Sequence, residues 1–132
     1  MTASTQPQAI TLPPLGPGPV HQDESIWLPQ LFAQAVASGS ALIRDRTFTR
    51  CRLEGPAVLL AAGGVRFDAC DMGYTGGDVR NLLLRPVGAE KVIGAVAFEN
   101  CTFRECAFFA VGFTGNEAFI ENFLQVVGDA RP

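Results

Sequence analysis

The four cysteines are the side chains of this chain best suited to chemistry, because four thiolates suit a tetrahedral zinc ion. They are Cys51, Cys70, Cys101 and Cys106. Metal sites of this class use Cys-x-x-Cys or Cys-x-x-His pairs, and neither spacing occurs. A thiol buried away from cations has a raised pKa and reacts slowly. We therefore predict packed, inert thiols, without a metal or another cofactor.

The only histidine, His21, follows Pro17 and Pro19 in a proline-rich stretch. Such a composition does not bury enough apolar surface to order itself, so residues 1–23 are predicted to form a disordered arm. A general base needs a fixed neighbour with which to exchange its proton. We therefore interpret His21 as a solvated residue of the arm rather than a ligand or a catalytic base.

All four cysteines belong to one pattern, Phe-x-x-Cys-x-apolar, which begins at Phe48, Phe67, Phe98 and Phe103. The last two copies overlap, so phenylalanines recur every five residues as far as Phe113. A period of five suits one side of a four-sided coil, with two side chains pointing inward and three outward. The predicted inward core of the repeats consists of Phe48, Cys51, Phe67, Cys70, Phe98, Cys101, Phe103, Cys106, Phe108 and Phe113.

Short alternating segments separated by tight corners fill residues 41–115, which we predict to be parallel strands wound into coils. Strands of successive turns are expected to lie about 4.8 Å apart. The same rule assigns inward positions to Pro56 and Val58 and then to Ala61 and Gly63. Residues 73–91 break the period, and we interpret them as a loop that protrudes from the coils.

A helical period flanks the coils on each side. It predicts one helix over residues 28–38, capped by Ser25, and a second over residues 117–127, which begins with a Thr114 to Glu117 capping box. A solenoid needs such ends, because a bare terminal coil exposes strand edges and an apolar interior. The predicted fold class is an all-β solenoid, a short parallel β-helix capped by an α-helix at each end, in one domain of residues 24–132.

The segment from Val96 to Gly115, VAFEN CTFRE CAFFA VGFTG, resembles the pentapeptide-repeat family. The resemblance implies a right-handed quadrilateral β-helix and frequent homodimerisation at a coil end. Some members bind DNA topoisomerases through a duplex-like acidic surface. Here the outward positions carry only Glu99, Arg104 and Glu105, a net charge of −1 from two acids and one base. A DNA-like acidic stripe is therefore not predicted.

Charge and hydropathy exclude several function classes. The net charge of −3 and the sequence pI of about 5.0 give no basic stripe for nucleic acid or anionic lipid. No run approaches the roughly 18 apolar residues of a membrane span, and the N-terminus lacks an export signal. We therefore expect a cytoplasmic protein. Only 17% of the residues are charged, against roughly 25% in typical globular proteins, and such neutral surfaces tend to associate.

The repeats and the missing catalytic constellation predict a non-catalytic protein–protein interaction or scaffold module. The unit CAFFA supplies the predicted interface, because its outward residues Phe109, Ala107 and Ala110 are all apolar. An outward phenylalanine needs cover, either from a cap helix or from another chain. We predict a homodimer centred on Phe109, and the sequence does not identify any other protein partner.

Two alternative functions stay open. Larger parallel β-helices cleave polysaccharides with clustered carboxylates and basic residues, so one alternative is a small carbohydrate hydrolase or lyase with its site under the loop at residues 73–91. Its candidate residues are Asp68, Asp71, Asp78 and Glu99 with Arg66, Arg80 and Arg104. A pocket with two convergent carboxylates, or one carboxylate and an arginine, would favour this enzyme. The other alternative, which the family resemblance suggests, is a DNA-mimic inhibitor of a topoisomerase.

Overall fold

The computed structural model describes residues 15–86 and 92–129. Within them the fold is mostly parallel β-sheet with two α-helices, an α/β-type arrangement. The strands are β1 (Val20–Gln22), β2 (Ser25–Trp27), β3 (Leu42–Arg44), β4 (Thr47–Thr49), β5 (Arg52–Gly63), β6 (Arg66–Asp68), β7 (Leu83–Leu84), β8 (Ala95–Glu99), β9 (Thr102–Arg104) and β10 (Ala107–Gly115). The helices are α1 (Leu28–Ala37) and α2 (Glu117–Asp129), and a 3-10 turn spans Val79–Leu82.

The strands form two sheets in which every described pairing is parallel. The order in the first sheet is β1-β4-β9-β6. The order in the second is β3-β8-β5-β10-β7, with β2 also paired to β5. Strands β5 and β10 are long and pair with each other along most of their length. The prediction of parallel strands across residues 41–115 is therefore confirmed for the described strands.

The last three strands lie between strands from earlier in the chain. Strands β4 and β6 belong to consecutive passes of the chain, and β9 is hydrogen-bonded between them. In the same way, β8 lies between β3 and β5, and β10 lies between β5 and β7. The expected 4.8 Å between successive passes of the chain holds for β1 and β4 and for β6 and β9, which pair directly. It is wrong for β4 and β6, which are two strand spacings apart, about 9.6 Å, because β9 lies between them.

Four aromatic rings stack in register through the first sheet. The rings of Phe48 and Phe103 are 4.7 Å apart, and those of Phe103 and Phe67 are 5.3 Å apart. His21 extends the stack, with its ring 4.7 Å from that of Phe48 and tilted by only 6°. Other phenylalanines meet this stack edge-on, an arrangement that aromatic quadrupoles favour; they are Phe98, Phe108 and Phe113.

His21 is completely buried in β1, so its interpretation as a solvated residue is wrong. Its Nε2 lies 3.1 Å from Nη1 of Arg46, and its Nδ1 lies 3.1 Å from Oε1 of Glu24. A guanidinium can only donate hydrogen bonds, so Nε2 of His21 accepts one from Arg46. Nδ1 therefore carries the ring proton and donates a hydrogen bond to Glu24. The prediction of a disordered arm is wrong for residues 20–22, which form β1 and pair with β4. Residues 1–14 of that arm lie outside the described residues.

Eight of the ten predicted inward side chains of the repeats are buried. The other two, Phe67 and Cys70, are half-buried, because β6 is the edge strand of its sheet. These side chains therefore form a ladder through the hydrophobic core. His21 of β1 covers one end of the ladder, and Phe119 and Phe123 pack on Phe67 at the other end.

The inward assignment of Pro56 and Val58 is wrong. Gly55 and Pro56 lie opposite one residue of β10, Ala110, so that β5 carries an extra residue at this point. A bulge of this kind shifts the alternation of side chains by one. Pro56 is exposed, and Leu59 points into the core in its place. Ala61 is buried, as predicted, whereas Gly63 is exposed.

Left-handed residues form the corners between strands. Arg50, Ala69 and Glu105 have φ angles of 50°, 55° and 54°, and each follows a strand of the first sheet and precedes a cysteine. Asp45 and Asn100 occupy the corner before that sheet, with φ of 61° and 54°. Residues other than glycine rarely adopt this conformation. Its recurrence in stacked strands shows that the ladder, rather than local preference, imposes the turn.

The helices pack at opposite edges of the sheets. Helix α1 lies against β2 and β3 and buries Leu28, Leu31 and Ala35. Helix α2 places Phe119 and Phe123 against the ring of Phe67. Helix α1 begins at the predicted residue 28 and ends one residue before the end of the predicted span, at residue 37 instead of 38. Helix α2 begins at the predicted residue 117.

Neither predicted helix cap is present. Ser25 lies in β2, and α1 begins without a side-chain cap. The cap of α2 is Asn116, whose Oδ1 accepts a hydrogen bond from the Phe119 amide at 2.8 Å. Thr114 does not cap α2: it is buried, and its hydroxyl donates a hydrogen bond to the Leu84 carbonyl.

The predicted loop at residues 73–91 is in part sheet. The chain leaves the second sheet at Gly73, where φ is 96° and a β-carbon would lie 2.6 Å from the Phe108 carbonyl oxygen, so only glycine fits. It returns as β7, in which Leu83 pairs with Phe113. Residues 87–91 of the predicted loop lie outside the described residues.

Truncating Phe103 should reveal the importance of the ring stack. Phe103→Ala is expected to lower the free energy of unfolding by about 3 to 5 kcal/mol, because the void lies between Phe48 and Phe67 and is closed on every side. Thr102→Ala, one position away on the outer face, should change it by less than about 0.5 kcal/mol. Urea unfolding followed by circular dichroism measures both. Equal effects would contradict the inward and outward assignment.

Candidate interaction surface

The outer face of β2, β5 and β10 carries two rows of side chains in register. One row contains Trp27, Glu54 and Phe109. The other contains Ser25, Arg52 and Ala107. The intervening residues point inward and are buried; they are Ile26, Leu53 and Phe108. We call the outer face of these two rows the Trp27–Phe109 surface.

Two aromatic side chains are exposed on this surface. Phe109 is 56% exposed and Trp27 is 43% exposed. They lie two strand spacings apart, about 9.6 Å, on either side of Glu54. Neither helix covers Phe109, so the cap-helix alternative for this residue is wrong. Of the other predicted interface residues, Ala110 is exposed and Ala107 is half-buried.

One basic side chain lies across this surface. The Arg52 guanidinium carbon is 5.5 Å from the centre of the Phe109 ring, within cation–π range. Arg52 Nε also donates to Oε2 of Glu54 at 2.7 Å. Asp71 pairs with Ala107 and so adds a second carboxylate at the end of the row that contains Ser25, Arg52 and Ala107. The surface therefore combines apolar rings with one base and two acids.

A groove of about 340 Å³ adjoins Trp27. Glu24 and Glu54 both line it, together with Leu15 and Gln30. Each carboxylate already has a donor, since His21 binds Glu24 and Arg52 binds Glu54. The groove lies beside β2 and not under residues 73–91, where the sequence predicted an enzyme site.

Most of the acids and arginines of the alternative enzyme site form separate surface ion pairs. Arg104 binds Asp68 at 3.4 Å, and Arg80 binds Asp78 at 2.7 Å. Glu99 is held by Arg44 of β3 at 3.5 Å, and Asp71 accepts from the Gly73 amide. Arg66 is exposed on β6. These residues are not brought together, and exposed pairs of this kind contribute little to stability.

Three of the cysteines form a column beside the first sheet. Asp71 N donates to the Cys106 carbonyl at 2.8 Å and Ala107 N to the Cys51 carbonyl at 3.0 Å, so Cys51, Cys106 and Cys70 follow one another across adjacent strands. Cys101 occupies the preceding corner. No group of three His, Cys, Asp or Glu side chains that could hold a metal ion occurs in the described part of the chain.

The thiols are not equally inert. Burial raises the pKa of Cys51 and of Cys101, as predicted. The interaction with the Cys106 side chain lowers the pKa of Cys70 to about 7, against the opposing effects of burial and of Asp68. The same interaction, followed by burial, raises the pKa of Cys106. The predicted raised pKa and the predicted burial are therefore wrong for Cys70, which is half-buried.

One of the four thiols should react quickly in the native protein. We expect Cys70 to be labelled by a maleimide-type or disulfide reagent, with a rate that rises with pH and is half-maximal near pH 7, because the thiolate is the nucleophile. The other three should react only on unfolding. Cys70→Ala should abolish the fast phase and Cys101→Ala should leave it intact. Fast labelling of two or more thiols would contradict this assignment.

In comparisons with known proteins, no family model, no curated protein and no solved structure matches this chain. The resemblance to the pentapeptide-repeat family therefore stays a prediction from residues 96–115. Neither helix of the described residues is long and apolar enough to cross a membrane. The function has to be argued from the surface itself.

Proposed function

We propose that this protein is a non-catalytic interaction module that associates with a second copy of itself through the Trp27–Phe109 surface. The observation that carries the proposal is the exposure of two large aromatic side chains on the outer face of an ordered sheet. Aromatic residues and arginine are the side chains most enriched in the energetic centres of interfaces. Trp27, Phe109 and Arg52 supply both kinds on three adjacent strands.

We further infer that the strands wind as a short right-handed parallel β-helix with a helix at each end. Exclusively parallel pairing, the in-register ring stack and the repeated left-handed corners support this winding. In such a scaffold the outer face of each side is held rigid by the ladder beneath it. A rigid face loses little conformational entropy when it binds.

The charges favour a second copy as the partner. Arg52 is flanked by Glu54 in its own strand and by Asp71 at the end of its row. Under a two-fold axis near Phe109, the base of one copy faces an acid of the other, and the apolar rings meet at the centre. Three strands span only about 14 Å, less than a standard interface needs, so we expect a weak dimer that extends to the exposed Tyr74 or to the groove.

A carbohydrate hydrolase or lyase is the second candidate. The groove beside Trp27 favours it, because an indole face can stack on a sugar ring and Glu24 and Glu54 supply two carboxylates. We rank it second because Glu24 is bound to His21 and Glu54 to Arg52. Release of reducing sugar from a polysaccharide by the wild type, and its loss in Glu54→Gln, would reverse the ranking.

The self-association is tested with Phe109→Asp. An aromatic anchor contributes about 2 kcal/mol or more to an interface, so the substitution should weaken the dimer at least about 30-fold. Sedimentation of both proteins from about 1 µM to about 1 mM measures the dissociation constant. The β-sheet circular dichroism should not change, because Phe109 is exposed and supports no core residue. Val36→Asp is the matched control, since Val36 is 49% exposed on α1 and lies off the surface.

Trp27 provides an independent readout, because it is the only tryptophan of the chain. Its emission should shift to shorter wavelength as the wild-type concentration rises and its exposed indole becomes covered. Phe109→Asp should remove this shift and Val36→Asp should retain it. A wild type that stays monomeric with constant Trp27 emission over the whole range would overturn self-association.

A further inference from the structure

We propose that Cys70 and Cys106 form an oxidation site, in which Cys70 is attacked by a hydroperoxide and Cys106 then closes a disulfide with it. The proposal concerns the cysteine column and does not depend on the Trp27–Phe109 surface. It treats these two residues as a nucleophile and its resolving partner.

The backbone holds the two cysteines side by side. Strands β6 and β9 are paired as far as Asp68 and Arg104, and both chains then turn through a left-handed residue into the cysteine. Pairing resumes at once, with Asp71 opposite Ala107. In-register neighbours in parallel strands lie about 4.8 Å apart, within the range of α-carbon separations that a disulfide spans.

The two sulfur atoms already interact. The proximity of the two side chains lowers the pKa of Cys70 and raises that of Cys106. Each thiol also has a backbone acceptor one strand away, since Cys70 Sγ lies 3.2 Å from the Phe103 carbonyl oxygen and Cys106 Sγ lies 3.3 Å from that of Phe48. The Cys70 thiol therefore points toward the strand that leads into Cys106, whereas the Cys106 thiol points the same way along the column, toward β4. Rotation of the Cys106 side chain about its Cα–Cβ bond turns its sulfur toward that of Cys70.

The pair is asymmetric in access. Cys70 follows the edge strand β6 and is half-buried, whereas Cys106 lies in the middle of the column and is buried. A dissolved peroxide therefore reaches Cys70 first. The charged groups near Cys70 are Asp68 on its own strand and Arg104 opposite, and these two form an ion pair with each other. The interaction with Cys106 lowers the pKa of Cys70 to about 7, so part of it is thiolate at neutral pH.

The reaction balances with one hydroperoxide. The Cys70 thiolate attacks the outer peroxide oxygen, the O–O bond breaks, and the leaving alkoxide or hydroxide takes a proton from water. Cys70 becomes a sulfenic acid. The Cys106 sulfur then attacks the Cys70 sulfur, the S–O bond breaks, and the departing hydroxide leaves as water with the Cys106 proton. Two electrons pass from the pair of thiols to the peroxide, which is reduced to an alcohol or water.

The other two cysteines are placed differently. Cys51 is on the far side of Cys106 and is buried, so peroxide has no direct route to it. Cys101 lies at the preceding corner, where its thiol donates to the Ile43 and Glu99 carbonyls. Both have a raised pKa, so neither starts the reaction.

The test is mild oxidation of the full chain with hydrogen peroxide at neutral pH, followed by thiol counting and peptide mapping without reductant. We expect the free thiols to fall from four to two, the mass to fall by two hydrogen atoms, and a single Cys70 to Cys106 disulfide. This mapping needs no variant. A disulfide between any other two cysteines, or no reaction until the protein is unfolded, would overturn the proposal.

Variants separate the two roles. Cys106→Ala should stop the reaction at a Cys70 sulfenic acid, which dimedone traps. Cys70→Ala should slow the loss of thiols at least tenfold, and Cys101→Ala should react as the wild type does. Dimedone adducts on Cys106 in Cys70→Ala at the wild-type rate would reverse the assignment of nucleophile and partner. Circular dichroism of each variant checks that it is folded before it is oxidised.

Discussion

The hydrogen bonding of β9 between β4 and β6 is the constraint on which the rest of this structure depends. Those two strands belong to consecutive passes of the chain and are about two strand spacings apart, too far to pair with each other. Their facing amides and carbonyls are satisfied only when the C-terminal strands lie between them. A buried backbone group without a partner is costly, so the first part of the chain cannot complete its sheets alone. The core is therefore shared between two distant segments of sequence.

The same insertion determines how the side chains stack. Phe103 reaches the centre of the ring stack because β9 brings it between Phe48 and Phe67. It also brings Cys106 between Cys51 and Cys70, so a phenylalanine ladder and a cysteine column run along neighbouring positions of the same strands. Contacts between residues so far apart in sequence are typical of slowly folding β proteins, because the loop must close before the pairing stabilises it.

The ladder also explains why side chains on the outer faces form rows. The corners after β4, β6 and β9 are each turned by a residue in the left-handed conformation, and the strands on both sides of them are paired in register. Side chains on the outer face consequently form straight rows, and Trp27, Glu54 and Phe109 lie in one of them although they are far apart in the chain. The exposed aromatic surface and the accessible thiol at the sheet edge are both consequences of the order of the strands.

The sequence by itself determined which side chains point inward wherever the five-residue period is clean, as from Phe98 to Phe113, because alternation is a local property of a strand. It also determined the positions of both helices to within a residue at their starts. Only the tertiary structure decided which strands are neighbours, since inward phenylalanines and cysteines are interchangeable and carry no code for pairing. The burial of His21 and the accessibility of Cys70 followed from that choice. The bulge at Pro56 was likewise non-local, because it exists only relative to the strand that lies beside it.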